Sequence, residues 1–500
     1  MASLQKLAGQ TMWYGVSTIA ARMLTFLLTP YLAYTLTGEE GRFVLGQYGY
    51  IYTLFPIMNV LYTYGMETSF FRFSKTEDNR GLYNTQTSAM LFTTLLFSLC
   101  LILFNEQVAD IARLGTHTEY VGWCAAILGL DALSALPFAK LRNENRPRVY
   151  AFTKVAGIAV FVVTIVFLFS FGKGVANSNP QGWFAQWYHH HYGIGFILFA
   201  NLLQAAITLL LLYKGWSSYK PRIDKALLQK VLVYGFPILI TGFAGVINDS
   251  INRYMFIELH PGSDVENVKA IGSYSMAVRL ATLINLTIQA FKMAAEPFFF
   301  SISGDKDARP TYARVMKWFV ILMALMFLNV MLYLDVWKLF IGEHIQAIHL
   351  VPVMLMYYVF LGIYYNLTVW YKLTDKTYFG TYIMIIGSAV TIIFNWMLIP
   401  VWGYDACAWG TLVCYAVMMY LSFTWGQKYY PIPYEVGKMA KYLGVMLFLY
   451  AVQFIISKYT DAAILRIATG TVLFTAYLFY IYKQERTELK SFPVIGKYIR

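Results

Sequence analysis

The 500-residue sequence is short of charge and has no long polar stretch. Asp, Glu, Lys and Arg make up only 13% of the residues. The longest polar stretches, 173–191 and 214–228, are each too short to fold as an independent domain. This shortage excludes a sizeable water-soluble domain within the sequence.

Cysteine and recognisable catalytic patterns are scarce as well. The four cysteines lack the spacing of paired metal ligands, so we expect buried free thiols: Cys100, Cys124, Cys407 and Cys414. No nucleophile, nucleotide or metal motif stands out, so we expect no resident metal, no covalent chemistry and no enzyme activity. The run His189–His191 could hold a metal, but its polar connection favours a solvated loop.

Long apolar runs are what the sequence has in abundance. A helix needs about 20 mostly apolar residues to cross a bilayer, and the backbone in lipid must satisfy its own hydrogen bonds. The chain is 58% hydrophobic, with a mean hydropathy of +0.53. Fourteen runs qualify, at 11–36, 45–69, 84–105, 120–139, 149–172, 192–213, 229–250, 270–298, 313–334, 346–371, 377–400, 404–424, 438–457 and 462–482. We predict an all-α polytopic membrane protein of about 14 transmembrane helices, whose first run is too long for a signal peptide.

Lys and Arg concentrate in alternate connections between the runs. If the N-terminus is cytoplasmic, the inward connections hold 27 basic residues and the outward connections hold 8. This positive-inside bias predicts that both termini are cytoplasmic. The net charge of +13 then reflects basic residues beside anionic lipid, and we expect no nucleic-acid partner.

The two halves of the chain share a repeat. Four patterns recur in the same order at offsets of 220, 226, 229 and 230 residues: Tyr14-Gly15 and Tyr234-Gly235, Leu45–Tyr48 and Ile271–Tyr274, Glu67–Phe71 and Glu296–Phe300, and Arg142/Arg146 and Lys372/Lys376. Each copy has six spans, an even number, so both copies enter the membrane from the same side. We predict two parallel six-helix lobes around a central cleft, at 1–214 and 215–425, followed by two additional transmembrane helices and a cytoplasmic tail at 426–500.

Several motifs make the chain resemble a known family. They are Gly46–Tyr48, Gly65–Phe73, Leu136–Arg142, Ala294–Phe299, and Asn395 leading through Ile399-Pro400 and Gly403-Tyr404 to Ala408–Thr411. The sequence from about residue 10 to 425 resembles the polysaccharide-transporter (oligosaccharide flippase) branch of the multidrug/oligosaccharidyl-lipid/polysaccharide exporter superfamily. The resemblance implies a flippase that moves an undecaprenyl-diphosphate-linked glycan across the bacterial cytoplasmic (inner) membrane. The flippase would work by alternating access. The glycan that it delivers would be used in surface polysaccharide biosynthesis, for example of lipopolysaccharide. The partners would be the lipid-linked oligosaccharide and membrane lipids.

Basic residues inside the spans are the candidate substrate contacts. A charge at mid-bilayer costs about 3 kcal/mol or more, so it faces a cavity or a partner. Arg22 and Arg279 lie in the first and eighth spans, and guanidinium suits phosphate because it is planar and permanently charged. The resemblance supports a cavity role for both, with Lys292 as a further contact. The alternative for Arg22 is a structural ion pair with Asp131. Lys154 lies near the cytoplasmic edge, which favours snorkelling to the head groups.

Acidic residues near the inner ends of the spans suggest gating and ion coupling. Glu67 and Glu296 occupy repeat-related positions, with Arg72 and Lys292 within reach along the same helices. We interpret these charges as inner-gate ion pairs or, alternatively, as static pairs near the head groups. Asp131 and Asp249 could carry a coupling proton or Na⁺, or they could be hydrogen-bonded structural groups.

Three other functions remain open on the residues alone. A multidrug-type antiporter would need a more acidic cleft, and the arginines favour an anion. A membrane glycosyltransferase or polymerase would suit Glu39-Glu40 superficially, but such enzymes lack a parallel six-span repeat. A lipid II flippase for peptidoglycan differs only in its substrate and has the same number of spans.

Overall fold

The computed structural model describes residues 2–305, 307–374 and 376–491; the side chains of residues 2–18, 249, 297 and 491 lie outside this description. In these residues the chain is helical and contains no strand. The helices group into two compact units. Unit 1 comprises the described residues up to Ser275 together with Met384–Thr411, and unit 2 comprises Met276–Ile383 with the described residues from Leu412 onward.

Most of unit 1 comes from the first half of the chain. Its own helices are α1 (Ala2–Thr35), α2 (Gly38–Thr63), α3 (Met66–Phe73), α4 (Asn79–Leu103), α5 (Asn105–Ile111), α6 (Glu119–Asn143), α7 (Pro147–Val166), α8 (Gly172–Ser178), α9 (Trp183–His190), α10 (Ile194–Leu211), α11 (Tyr213–Ser217) and α12 (Lys225–Leu259), with a π-helical turn at Phe167–Phe171 between α7 and α8. Three helices contribute residues to both units: α13 (Asp264–Ser301), α18 (Tyr378–Trp402) and α19 (Tyr404–Tyr429).

Unit 2 is built around one central helix. Its own helices are α14 (Ala308–Leu332), α15 (Leu334–Ile341), α16 (Val351–Leu367), α17 (Val369–Leu373), α20 (Val436–Tyr459) and α21 (Ala463–Ser491), with a 3₁₀ turn at Ile348–Leu350. Helix α14 packs against α16, α20 and α21. The last two predicted spans, now α20 and α21, are therefore docked on this unit.

The predicted membrane fold is confirmed. Twelve helices of the described part are long and apolar enough to cross a bilayer. Helices α1 and α2, with 34 and 26 residues, are long enough at about 1.5 Å per residue and occupy the first two predicted positions. The count of about 14 therefore stands as an approximate number.

The surface of α4 shows why such helices need lipid. Beyond its first turn its exposed face is apolar: Phe92, Leu95, Leu99 and Leu103 are each more than half exposed. Its opposite face buries Tyr83, Met90 and neighbouring side chains in a core shared with α2, α3 and α6. An apolar exposed face of this kind is typical of a membrane span. The exposed Cys100 lies on the same helix, so the expectation of a buried thiol was wrong there, although Cys407 and Cys414 are buried.

The break between α2 and α3 positions an acidic residue of the candidate site. Gly65 has φ +75°, a left-handed conformation that favours glycine, and an added Cβ would lie 3.0 Å from the carbonyl oxygen of Gly235 on α12. The chain bends here and restarts as α3. Glu67 therefore lies in the first turn of a new helix.

Candidate functional site

Unit 1 contains a cavity of about 420 Å³ between membrane helices. Its walls come from the α2–α3 bend and from α6, α7, α10 and α12. The polar and charged lining residues are Asn59, Thr63, Glu67, Thr68, Asp131, Ser134, Lys154, Gln204 and Thr208. Apolar lining is supplied by Val60, Ala135, Phe138, Ile158, Ile238 and Leu239, among others. Polar and charged groups on membrane helices are costly in lipid, so these residues are candidates for a functional surface.

Asp131 and Lys154 bring charges of opposite sign into the cavity, whose lining also includes Glu67. Asp131 is exposed to the cavity on α6, and Lys154 is the charged residue that interacts with it electrostatically. Lys154 Nζ also donates a 3.3 Å hydrogen bond to the Tyr150 hydroxyl and lies 5.7 Å from the centre of the Phe138 ring. Lys154 therefore lies in the cavity lining, and its snorkelling to the head groups stays a prediction. Asp131 and Arg22 form no ion pair among the described residues, so the structural alternative for Arg22 is not observed.

Glu67 pairs across helices at the edge of the same cavity. Its carboxylate accepts a 2.5 Å hydrogen bond from Arg142 Nη1 at the end of α6. The Arg142 guanidinium also lies over the Phe71 ring, at 4.7 Å from the ring centre. The expected partner Arg72 is instead exposed, because it follows Glu67 by five residues on α3 and so does not share its face.

Unit 2 has an ion pair of the same kind. Glu296 on α13 accepts a 2.5 Å hydrogen bond from Lys372 Nζ on α17. The ammonium group of Lys292, the neighbour of Glu296 expected along the same helix, lies over the Tyr365 ring, at 4.5 Å from the ring centre. All four residues line one small pocket of this unit.

The two ion pairs occupy equivalent positions of the repeat. Glu67 corresponds to Glu296 at an offset of 229 residues, and Arg142 corresponds to Lys372 at an offset of 230. Each pair joins the end of one span to the end of another within its own unit. Because the same pairing occurs in both copies, it is a shared structural feature of the repeat.

At the end of unit 1 opposite the Glu67–Arg142 pair, the two copies of the repeat are in direct contact. An added Cβ at Gly46 would lie 1.8 Å from the carbonyl oxygen of Val268, and one at Gly272 would lie 2.4 Å from that of Arg42. Only glycine permits this approach of α2 to the start of α13. Gly46 and Gly272 are themselves repeat-related.

Ion pairs flank this glycine contact. Arg113 pairs with Glu258 at 3.1 Å and with Asp264 at 3.4 Å. Lys269 pairs with Glu39 at 2.8 Å. Each ion pair joins a residue of the first copy to a residue of the second. Ion pairs and close backbone packing therefore hold the two copies together at this end of unit 1.

Arg253 on α12 is another residue that the sequence did not single out. Its Nη1 donates hydrogen bonds to the Gly49 carbonyl at 3.4 Å and to the Thr53 hydroxyl at 3.3 Å, both on α2. The sequence placed this arginine in a connection, whereas it lies within the helix that packs on α2. The sequence signal that could have revealed Arg253 is the polar break that interrupts the apolar run at this point.

The remaining predicted site residues lie apart from the described cavity lining. Arg22 is exposed on α1 of unit 1, and Arg279 is half-buried on α13 in unit 2. The Asp249 side chain lies outside the described residues. Roles for these three residues stay predictions.

Amide and hydroxyl groups near Asp249 form a buried polar cluster. Asn252 Nδ2 donates a 3.2 Å hydrogen bond to the Thr411 hydroxyl, and Asn248 Nδ2 donates one of the same length to the Met384 carbonyl. Asn395 lies against Gly410, the residue before Thr411. The side-chain oxygens of Asn252 and Asn395 accept no hydrogen bond within the described part of the chain. Oxygen ligands of this kind suit hard cations.

Comparisons with known proteins agree with this geometry. A family model described as "Polysaccharide biosynthesis protein" matches residues 7–303. The chain is 22% identical over 296 residues to the Lsg locus putative protein 1 of Haemophilus influenzae; this covers 59% of the chain and 66% of that relative, just under two thirds of its length.

Solved structures establish the fold. The lipid II flippase MurJ, in its inward closed conformation, matches with a TM-score of 0.70 at 14% identity, covering 95% of this chain and 99% of that one. An inward-facing multidrug resistance MATE family transporter of the MOP superfamily matches with a TM-score of 0.60 at 13% identity, covering 82% and 97%. These similarities confirm the family resemblance and the transporter fold. The chain belongs to the polysaccharide biosynthesis protein family and has the fold of the multidrug/oligosaccharidyl-lipid/polysaccharide exporter superfamily.

Proposed function

We propose that this protein flips an undecaprenyl-diphosphate-linked oligosaccharide from the inner to the outer leaflet of a bacterial cytoplasmic membrane. It acts by alternating access, supplies surface polysaccharide biosynthesis and performs no covalent chemistry. Both termini lie in the cytoplasm in this proposal. The observation that carries it is the charged cavity among the membrane helices of unit 1, in a chain of the polysaccharide biosynthesis family.

The diphosphate is the part of the substrate that needs the protein most. Its charges cannot cross the hydrocarbon core unaccompanied, whereas the polyprenyl tail can stay in lipid. Lys154 supplies a cation in the cavity, and Arg22, Arg279 and Lys292 supply further cationic groups on the spans. Guanidinium groups bind phosphate oxygens with paired hydrogen bonds, and ammonium groups bind them as point charges.

The two repeat-related ion pairs act as gating contacts in this proposal. Glu67–Arg142 and Glu296–Lys372 hold the ends of neighbouring spans together, each within one unit. Arg72 remains an exchange partner for Glu67 when that helix end moves. A gate needs only a few kcal/mol of difference between states, and each exchange of an ion-pair partner contributes part of it.

The coupling ion is a proton or Na⁺ in this proposal. Asp131 faces the cavity and is the candidate proton carrier, since a carboxylate there can take up and release a proton during transport. Asp249, with the oxygen-bearing cluster of Asn252, Asn395 and Thr411, is the candidate for Na⁺. A flipping rate that follows an imposed Na⁺ gradient at constant pH identifies Na⁺, and one that follows a pH gradient alone identifies the proton.

A flipping assay tests the proposal. The full chain is reconstituted in proteoliposomes with an undecaprenyl-diphosphate-linked oligosaccharide, and an impermeant reagent measures how much glycan reaches the other leaflet. We expect Arg22→Ala, Arg279→Ala and Lys154→Ala each to slow flipping about tenfold or more, the value of one charge-assisted hydrogen bond. Arg22→Lys restores part of the rate, because ammonium lacks the paired donors.

Lys75→Ala is the matched control, since this lysine is exposed in the turn after α3. Its rate stays at the wild-type value. Wild-type rates in all three alanine variants would exclude diphosphate capture by these residues, and absence of flipping by the wild-type chain would exclude the proposed activity.

A lipid II flippase is the second candidate function. The similarity to MurJ favours it, with a TM-score of 0.70 over 95% of the chain, but at 14% identity this similarity concerns the fold alone. The same proteoliposomes loaded with lipid II decide between the two substrates.

A further inference from the structure

Three metal-ligating side chains converge at an end of unit 1, away from the cavity. His117 precedes α6, Glu119 begins it, and His190 ends α9. Glu119 Oε1 lies 2.9 Å from His117 Nδ1 and 3.1 Å from His190 Nε2. The three ligand atoms lie within 4.8 Å of one another. Residues separated by about 70 positions are thus brought to a single point.

Aromatic rings hold the cluster in place. The Tyr120 ring stacks on His117, with the ring centres 4.8 Å apart and an angle of 16° between the planes. The Tyr120 hydroxyl lies 3.1 Å from Nδ1 of the buried His191, which packs against Trp123. Neighbours that fix the orientation of a ligating ring raise metal affinity, because less order must be created on binding.

The cluster is also open to solvent. The side chains of His117, Glu119 and His190 are 35%, 37% and 60% exposed. An ion can therefore reach all three ligands without unfolding the unit. A fourth position remains for water, as in protein sites where three side chains bind zinc.

We propose that His117, Glu119 and His190 bind a late first-row divalent cation, with Zn²⁺ as the representative ion. Two imidazole nitrogens and one carboxylate oxygen match the preference of this class, whereas Mg²⁺ prefers oxygen ligands alone. The ion takes the place of the contacts between the Glu119 carboxylate and the two imidazoles. It ties the segment that contains α9 to the start of α6. The polar run His189–His191 is then one side of a metal site and not a solvated loop.

Zinc binding to the purified full chain tests this inference. The protein carries no affinity tag, because a histidine tag would itself bind zinc. Competition with a chromophoric chelator measures the affinity for the ion. We expect one zinc per chain and a rise in melting temperature with Zn²⁺ and not with Mg²⁺. His190→Ala and Glu119→Gln each weaken binding at least tenfold and abolish the rise in melting temperature. Cobalt bound in place of zinc shows visible absorption bands in the wild type that are lost in both variants.

His189→Ala is the matched control. This neighbouring histidine is exposed and is not one of the three ligands, so its variant binds zinc as the wild type does. His117→Ala also removes a stacked ring, and the exposed His190 is therefore the decisive position, since little packing is lost there. Failure of the wild type to bind zinc, unchanged affinity in His190→Ala, or an equal loss in His189→Ala would overturn the site. Each result is independent of whether the protein flips a lipid.

Discussion

At the scale of single residues, Lys317 shows that the burial of a side chain can differ greatly from what its sequence neighbourhood predicts. Sequence patterning counts it among the basic residues of a cytoplasmic connection, yet only 2% of its side chain is exposed. Its ammonium group donates 2.8 Å hydrogen bonds to Glu485 and Glu488 on α21. Glu485 also accepts a hydrogen bond from the Tyr442 hydroxyl on α20. This buried network joins α14, α20 and α21.

Removing the Lys317 charge should weaken unit 2 strongly. Lys317→Met keeps most of the side-chain stem and leaves Glu485, which is 4% exposed, without its cation. Breaking one partner of a buried ion pair costs about 3–5 kcal/mol in free energy of unfolding. The melting temperature of the purified protein in detergent measures this loss.

Lys438→Met provides the comparison for this prediction. Lys438 pairs with Glu435 at 2.7 Å but is 55% exposed, so its loss costs less than about 1 kcal/mol. Equal melting temperatures for the two variants would contradict the role assigned to the buried network.

At the scale of elements, the bend between α2 and α3 and the end of α6 form a contact that recurs in the other copy of the repeat. Glu67 is held by Arg142, and Glu296 is held by Lys372. In each case a carboxylate at the end of one span binds a base on another helix about 75 residues along the chain. The four side chains are between 29% and 42% exposed, so these contacts can open without a large desolvation cost.

Exchanging the charges of one pair tests its gating role. Glu67→Arg alone places two cations together and should slow flipping severalfold or more, since like charges at contact distance repel. Adding Arg142→Glu restores an ion pair of opposite polarity and should recover much of the rate. The flipping rate in proteoliposomes is measured for these variants and for the same exchange at Glu296 and Lys372.

The control for this exchange is the Glu77–Lys230 pair. It joins the segment between α3 and α4 to α12 at 3.1 Å but does not take part in the repeat. Glu77→Arg should leave the flipping rate at the wild-type value. A double exchange that is no faster than Glu67→Arg alone would show that the Glu67–Arg142 contact does not act as a switchable pair.

At the scale of the whole molecule, the chain combines a sequence repeat with compact units that do not follow it. Helices α18 and α19 each contribute residues to both units, and α13 does the same. The division into 1–214, 215–425 and 426–500 describes the repeat and stays a prediction about lobes. A unit defined by contacts and a lobe defined by the repeat need not coincide, because helices from one copy can pack against those of the other.

The orientation of the molecule can be tested by labelling cysteines. Ser178→Cys lies at the end of α8, in a connection predicted to be outward, and Ser217→Cys lies at the end of α11, in one predicted to be inward. Both positions are exposed. In intact bacterial cells an impermeant maleimide should label the first and not the second, because the basic inward connections stay on the cytoplasmic side.

The background for this experiment lacks the four native cysteines, since Cys100 is exposed. Permeabilised cells should show labelling at both positions, which proves that Ser217→Cys is reactive. Labelling of the second position alone in intact cells would reverse the proposed orientation.

The sequence by itself determined the class of the protein, its spans and its repeat. Hydropathy acts locally, because each span must bury its own backbone and present apolar side chains to lipid. The run at 84–105, for example, became α4 with an apolar exposed face. The repeat could likewise be found from Glu67 and Glu296, or from Arg142 and Lys372, without knowing that these residues touch.

Only the tertiary structure decided which charges meet. Along a helix the nearest candidates were Arg72 for Glu67 and Lys292 for Glu296, yet the observed partners lie on other helices. The same holds for Lys154 beside Asp131, and for His117 and Glu119 beside His190. Ion pairs and ligand clusters depend on side-chain positions to within about 1 Å, and those positions are set by helix packing between distant parts of the chain. Local hydropathy contains no information about that packing, so the partners of these charges could be read only from the fold.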